Sequence, residues 1–206
     1  MKTLFIPAKI KSIINEKAII ELSKTFLKNI TNIAIAYSIQ YEELAKMIKQ
    51  ILSKSHNITS FVHVLGCSKP DFPKSTEAVL LMGSGRFHAI SLAIETSLPI
   101  YIIENSKITK LSEQETEQFR KKQKAAYLKF LNSDKAGILV SSKPGQENLE
   151  KAIALKKKLK KKAYIFIGNE INSSEFENFS LNSWINTACP RLDMESNSIV
   201  NINRIK

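Results

Sequence analysis

Cysteine is scarce here, with two among 206 residues. That argues against a structural disulfide and leaves free, metal-bound or catalytic thiols as the expected uses. Long apolar runs are missing as well. No stretch approaches the ~20 apolar residues needed to span a bilayer, so no membrane partner is expected. The opening MKTLFIPAKIKS pairs a basic residue with a short apolar run, but the run breaks at Pro7 and no small-residue cleavage site follows. A signal peptide is therefore not expected, and the chain reads as cytoplasmic. No Gly/Ser-rich linker or low-complexity segment interrupts it, so close packing of its parts is expected. Acidic residues are the minority, 19 against 31 basic, for a net charge of +12.

A basic surface suits nucleic acid or an acidic protein partner. The excess is mostly lysine in a chain also rich in isoleucine and asparagine, the bias of an AT-rich genome, so nucleic acid is not expected. The densest run, KKKLKKK at Lys156–Lys162, reads as the solvated end of a helix, where cations complement the macrodipole; a docking patch is the alternative.

Short β-rich runs alternate with helical patterns. Strands are expected at Leu4–Pro7, Ile33–Ser38, Ser60–Leu65, Ala78–Gly83, Ile100–Glu104, Gly137–Ser142, Ala163–Gly168 and Trp184–Cys189. Tyr41, Leu44, Ala45, Ile48 and Leu52 recur at the spacing of one buried helical face, as do Leu149, Ala152, Ile153 and Leu159. Runs such as AVLLM and IYII are apolar on both faces, which suits parallel strands covered by helices on two sides. The fold class is thus α/β: two consecutive parallel-sheet lobes with flanking helices, at residues 1–110 and 111–206, the second opened by a helix near Ser112–Leu131.

In open parallel sheets ligands bind beyond the carboxyl ends of the strands. Four polar turns occupy that position: the one carrying Cys67, GSGRFH at Gly83–His88, SKPGQ at Ser142–Gln146, and CPR at Cys189–Arg191. They suggest one shared site. Strand–GSGRFH–helix partly matches a dinucleotide fingerprint, with Glu104 ending the next strand as a ribose-binding acid would, but His88 stands where the third glycine belongs. A nucleotide or cofactor site and a plain tight turn both remain open. In SKPGQ, Gln146 and the first free amides of a following helix would suit a carboxylate, as against an ordinary strand-to-helix connection. Cys67 and Cys189 are either buried structural thiols or members of one site. Two thiolates complete neither a Cys₄ cluster shell nor a tetrahedral zinc site; His63 and His88 are further candidates without zinc-motif spacing, and His56 is expected to be exposed at a helix end.

Taken in order, VLGCS, LLMGSGRFHAISLAIETSLPIYIIENSK, GILVSSKPGQENLEKA and INTACPRLD resemble the diphthamide biosynthesis family, whose enzyme is the 2-(3-amino-3-carboxypropyl)histidine synthase. The resemblance runs from the first strand to about Asp193. It implies a fold of three similar α/β lobes, each giving one cysteine to a [4Fe-4S] cluster. It implies a transferase that reductively cleaves S-adenosylmethionine to a 3-amino-3-carboxypropyl radical, which adds to a histidine of translation elongation factor 2. On this resemblance the two lobes correspond to the middle and last lobes, and Cys67 and Cys189 are cluster ligands. The resemblance also implies that Gly83, Ser84, Gly85, Arg86, His88, Gly145 and Gln146 line the S-adenosylmethionine cleft, with Arg191 expected as a cation beside the cluster or the substrate carboxylate, or else in a surface ion pair. The family's first lobe has no counterpart here, so a homodimer or a heteromer with a chain supplying that lobe and its cysteine is expected. The alternatives are a non-catalytic accessory subunit of such an enzyme, or an unrelated nucleotide-binding protein.

Overall fold

The computed structural model describes residues 4–10, 16–83, 85–104 and 107–205. The chain forms two compact units, Met1–Thr116 and Glu117–Lys206.

In the first unit the helices are α1 (Glu16–Phe26), α2 (Glu42–Leu52) and α3 (Arg86–Thr96), and the strands are β1 (Asn32–Tyr37), β2 (Asn57–His63), β3 (Ala78–Met82), β4 (Ile100–Glu104) and β5 (Lys107–Lys110). The sheet order is β2-β1-β3-β4-β5. The first four strands are parallel, and β5 runs antiparallel beside β4. Alternation of side chains across each strand builds two cores. Ile33, Ile35, Leu80, Met82 and Ile103 pack with Ile19 of α1 and with Leu44, Ala45, Ile48 and Leu52 of α2. Ala34, Ala36, Val79, Leu81 and Ile102 pack with Ala89 and Leu92 of α3 on the other face. Strands buried on both faces must be apolar throughout, which is why AVLLM is buried at every position.

The second unit carries most of α4 (Glu113–Asn132), then β6 (Lys135–Ser141), α5 (Leu149–Lys158), β7 (Lys162–Gly168), β8 (Trp184–Asn186) and β9 (Ile199–Asn201), with 3₁₀ segments at Ser173–Phe179 and Pro190–Met194. Its sheet, β7-β6-β8-β9, is parallel throughout. Ile138, Val140, Ile185 and Val200 meet Ala126 and Phe130 of α4 and Ala152 of α5. On the other face Trp184 stacks on Phe176 at 4.2 Å between ring centroids. A Cβ on Gly137 would lie 2.2 Å from the Trp184 ring, so the central strand needs glycine there.

The α/β class with parallel sheets and flanking helices is as expected, but several local expectations fail. Leu4–Pro7 forms no strand: Leu4, Phe5 and Ile6 are 82%, 73% and 78% exposed. Pro7 has no amide to donate to a ladder, and the segment is tethered instead by Ile10 N–H to Gln40 O and by Lys9 to Glu42 and Glu43. Strands β5 and β9 were not expected; each is short, and β5 has one apolar side chain, Ile108, to signal it. Ile153 is 41% exposed, because the inward stripe of α5 runs through Ala152, with Leu149, Leu155 and Leu159 half-buried beside it. The first unit ends beyond residue 110, since Leu111 joins its core and Glu115, in the first turn of α4, pairs with Arg86 at 3.0 Å. That turn is a capping box: Ser112 N–H donates to Glu115 Oε2 and Glu115 N–H to Ser112 Oγ. The lysine run is not wholly solvated. Lys161 Nζ donates to the Phe130, Leu131 and Ser133 carbonyls and caps the end of α4.

Candidate functional site

The strand order places β1 between β2 and β3, so successive crossovers leave β1 on opposite sides; this is the switch point where α/β sheets open a crevice at the carboxyl ends. Ser38 follows β1 and Gly83 follows β3. Ser38 N–H donates to Met82 O at 3.0 Å. Its hydroxyl is buried and has no hydrogen-bond partner among the described residues. A Cβ on Gly83 would stand 3.7 Å from that hydroxyl.

Gly85 caps α3 with φ 85° and ψ 146°, a conformation open to glycine and strained for other residues. Nothing lies within 4 Å of a Cβ built there, so glycine is required for the backbone and not for space. Ser84 lies outside the described residues. Arg86 is engaged by Glu115. His88 is half-buried, its ring 5.5 Å from that of Phe87.

Cys67 is an exposed free thiol. Its turn is closed by Ser68, whose N–H donates to Leu65 O at 3.0 Å and whose Oγ accepts from Leu65 N–H at 2.7 Å. Gly66 seats the turn against the glycine loop: a Cβ there would lie 1.9 Å from Phe87 Cε1. The structure thus brings the Cys67 turn and the GSGRFH segment together within the first unit. His63 is exposed at the end of β2, and His56 is bonded to Ser55 Oγ. Among the described residues no group of three or more His, Cys, Asp or Glu side chains is placed to hold a metal.

In the second unit Gln146, Cys189 and Arg191 line one polar cleft of about 370 Å³ with Ser141, Lys143 and Glu170. Cys189 is a half-buried free thiol. Arg191 is exposed and makes no ion pair among the described residues, whereas Lys143 is held by Glu170 at 3.0 Å. The PGQ turn is not the start of a helix as expected. Gln146 N–H is spent on Lys143 O at 3.0 Å, and α5 begins only at Leu149 behind Asn148. Gln146 therefore offers its side chain to the cleft, not its amide nitrogen. Gly145 has φ 78° and open space around a built Cβ, so it too serves the backbone turn.

The Cys189 turn is folded around a side chain that sequence reasoning passed over. Asn186, fully buried at the end of β8, donates to Cys189 O at 2.9 Å and to Asp193 Oδ1 at 2.7 Å, and accepts from Ala188 N–H at 2.8 Å. Asp193 is buried and also accepts from Asn201 Nδ2 at 3.0 Å. Burial pushes its carboxyl up to about 6, against the amides of Asn186 and Asn201 and the charge of Arg204, which pull it down. Thr187 Oγ1 donates to Leu139 O at 2.7 Å, and Thr187 O accepts from Asn148 Nδ2 at 2.8 Å. Pro190 opens the short 3₁₀ turn that follows, where a missing N–H costs nothing. The available signal was two polar residues, Asn186 and Thr187, closing an apolar strand; their partners lie elsewhere in the chain.

The chain was compared with known proteins. The family model for diphthamide synthesis proteins matches residues 1–198. A curated relative from Pyrococcus horikoshii, named 2-(3-amino-3-carboxypropyl)histidine synthase, is 33% identical over 136 residues, covering 64% of this chain and 39% of the relative. One of the same name from Methanocaldococcus jannaschii is 28% identical over 206 residues, covering 95% of this chain and 57% of the relative. The crystal structure of Dph2 from Pyrococcus horikoshii is similar at a TM-score of 0.76 and 25% identity, covering 90% of this chain and 59% of that one. The crystal structure of the same protein with a 4Fe-4S cluster is similar at a TM-score of 0.74. The chain therefore spans between about two fifths and three fifths of the length of these relatives.

Proposed function

The chain belongs to the diphthamide synthesis protein family, and on that premise we propose that it acts as part of a 2-(3-amino-3-carboxypropyl)histidine synthase in the cytoplasm. In this reading the enzyme transfers the 3-amino-3-carboxypropyl group of S-adenosylmethionine to a histidine of translation elongation factor 2. Cys67 and Cys189 hold a [4Fe-4S] cluster, for which thiolate is the fitting ligand. Both are free thiols at the carboxyl edge of a parallel sheet, so they fit two of the ligand positions. A further thiolate comes from outside these 206 residues, with a partner chain as its proposed source. When bound, the cluster supplies the electron that cleaves a sulfur–carbon bond of the substrate.

The observation that carries this reading is the cleft of the second unit, where a half-buried thiol, an amide residue and an arginine with no ion pair among the described residues line one cavity. Arg191 attracts the carboxylate of the methionyl group, and the Gln146 amide donates to it and fixes its direction. Gly145 keeps the turn in the left-handed shape that presents Gln146. Gly83, Gly85, Arg86 and His88 form the remaining substrate surface, and Ser38 adds a hydroxyl beside Gly83.

The test is anaerobic reconstitution with iron and sulfide, alone and with a chain that supplies a third cysteine. A complete, S-adenosylmethionine-responsive cluster is expected only in the combined sample, and Cys67→Ser or Cys189→Ser should each remove it. Gln146→Ala should leave iron content intact and weaken S-adenosylmethionine binding about tenfold, the effect of losing one charge-assisted hydrogen bond. A stoichiometric, responsive cluster in the Cys67→Ser/Cys189→Ser double variant would sink the assignment.

A further inference from the structure

We propose that Asn186 and Asp193 are positioning residues that hold the Cys189 turn in a ligand-ready shape before any ligand arrives. The inference rests on the reading of Cys189 as a cluster ligand for its purpose, but on hydrogen bonds for its substance. Asn186 uses all three of its observed hydrogen-bonding directions inside the turn: two donated bonds, to Cys189 O and Asp193 Oδ1, and one accepted from Ala188 N–H. That pattern fixes the orientation of the amide, since its nitrogen faces two oxygens and its oxygen faces an N–H. Cys189 O also accepts from Leu192 N–H at 3.1 Å, which ties the carbonyl to the following 3₁₀ turn. Asp193 closes the arrangement from that turn and is itself held by Asn201, at the end of the neighbouring strand β9.

Buried polar groups are retained at a cost unless each is satisfied. An asparagine 0% exposed and a carboxylate 6% exposed are not needed to fill a strand end. An apolar pair would fill the same volume but would leave the Ala188 amide without the Asn186 acceptor and the Cys189 carbonyl with the Leu192 N–H alone. Thr187, pinned to Leu139 O and Asn148, fixes the remaining peptide of the turn. The backbone of the turn is thereby held while Cys189 lines the cleft, the arrangement by which residues behind a ligand orient it. Their hydrogen bonds go to the backbone of the turn and to one another, and among the described residues none goes to the sulfur, so they act through the backbone of Cys189.

The experiment uses the full chain without cluster. Iodoacetamide alkylation is followed at Cys189 by peptide mass spectrometry, with the exposed Cys67 as the reference for reagent reactivity and far-ultraviolet circular dichroism of the same sample as the report of global unfolding. Asp193→Asn should speed alkylation of Cys189 about fivefold, the effect of one lost hydrogen bond on local opening, and Asn186→Ala, which removes three bonds, by more than that; both should leave Cys67 unchanged. Asp193→Asn sets an NH₂ against the Asn201 amide. Adding Asn201→Asp returns an acceptor there, so the Asp193→Asn/Asn201→Asp pair should bring the Cys189 rate back to within about twofold of wild type. If Asn186→Ala fails to fold, seen as loss of the folded circular dichroism signal, the folded Asp193→Asn and its paired variant decide the matter. Cys189 rates that do not move in Asp193→Asn, or that the pair does not restore, overturn the proposal. Iron content of the reconstituted complex separates this from the functional reading. Rates that follow the expected pattern while Cys189→Ser still assembles a full cluster would keep the positioning role and remove the cluster assignment. Unmoved rates with loss of the cluster in Cys189→Ser would do the reverse.

Discussion

The two cysteine turns solve the same placement with different materials. Cys67 follows β2, an edge strand with a neighbour on one side only, and its thiol is exposed. Its turn is held by one serine and by the shape of Gly66 against Phe87. Cys189 follows β8, an inner strand flanked by β6 and β9, and is half-buried. There the neighbouring strand can reach over the turn, and a network of amides and a buried carboxylate replaces shape as the fixing device. An edge position leaves room for water to satisfy a turn, whereas an inner position excludes it and obliges the protein to supply every partner. The first turn is therefore sensitive to volume, and the second to protonation and hydrogen-bond pattern.

The largest test of that contrast is pH. The Asp193 carboxyl is raised from 3.8 to about 6 in the folded state, so between those values the folded chain binds more protons than the unfolded one. Stability from this group is highest below about pH 4, falls as pH rises through about 6, and is flat above. A carboxyl displaced that far changes stability by roughly 3 kcal/mol, as an order of magnitude, across the interval. Urea unfolding at pH 4.5 and 7.5 should show wild type losing stability relative to Asp193→Asn over that interval. A difference between the two proteins that stays constant with pH would contradict it. The carboxylate at the same distance along the chain from Cys67, Asp71, is exposed.

Volume is the matching test for the first unit. Gly66→Ala would push a methyl into Phe87 and should destabilise by about 1–3 kcal/mol, as overpacking does. Phe87→Ala in the same chain should relieve that strain, so the double variant should fall short of the sum of the singles. Additive urea midpoints would show that the Phe87 contact does not set the Cys67 turn. The smallest effect is expected at Ser38, whose buried hydroxyl lacks a partner among the described residues. Ser38→Ala should raise stability by up to about 1 kcal/mol, because an unsatisfied hydroxyl is removed. If Ser38 contacts S-adenosylmethionine, the same variant should weaken its binding. A loss of stability without ligand would show the hydroxyl to be satisfied in solution.

Much of this arrangement was legible in the chain. Strands apolar on both faces, such as AVLLM and IYII, announce helices on two sides, because a half-exposed strand would alternate. The polar turns after them mark the carboxyl edge, where open parallel sheets bind ligands, and Gly85 and Gly145 both have the positive φ that such turns call for. The exposed LFIP segment misled, because apolar composition alone does not supply a neighbouring strand. The PGQ turn misled for a related reason: proline and glycine mark a turn but not where the helix starts, and here α5 begins only after Asn148, whose side chain makes no capping bond and reaches Gln146 O and Thr187 O.

The order of elements, the parallel class and the two cysteines at strand ends were therefore set by local pattern, since periodicity and turn chemistry act over a few residues. Which polar side chain holds which turn was decided only by the tertiary structure. Asn186 and Asp193 carry no local signal of their roles, because the bonds that define them depend on how the chain returns: the 3₁₀ turn brings Asp193 back beneath β8, and β9 brings Asn201 alongside. Gly66 likewise gains its meaning only when Phe87 is packed against it. Contacts of this kind belong to the packed state, where a buried group is costly until a particular partner, distant in the chain, arrives beside it.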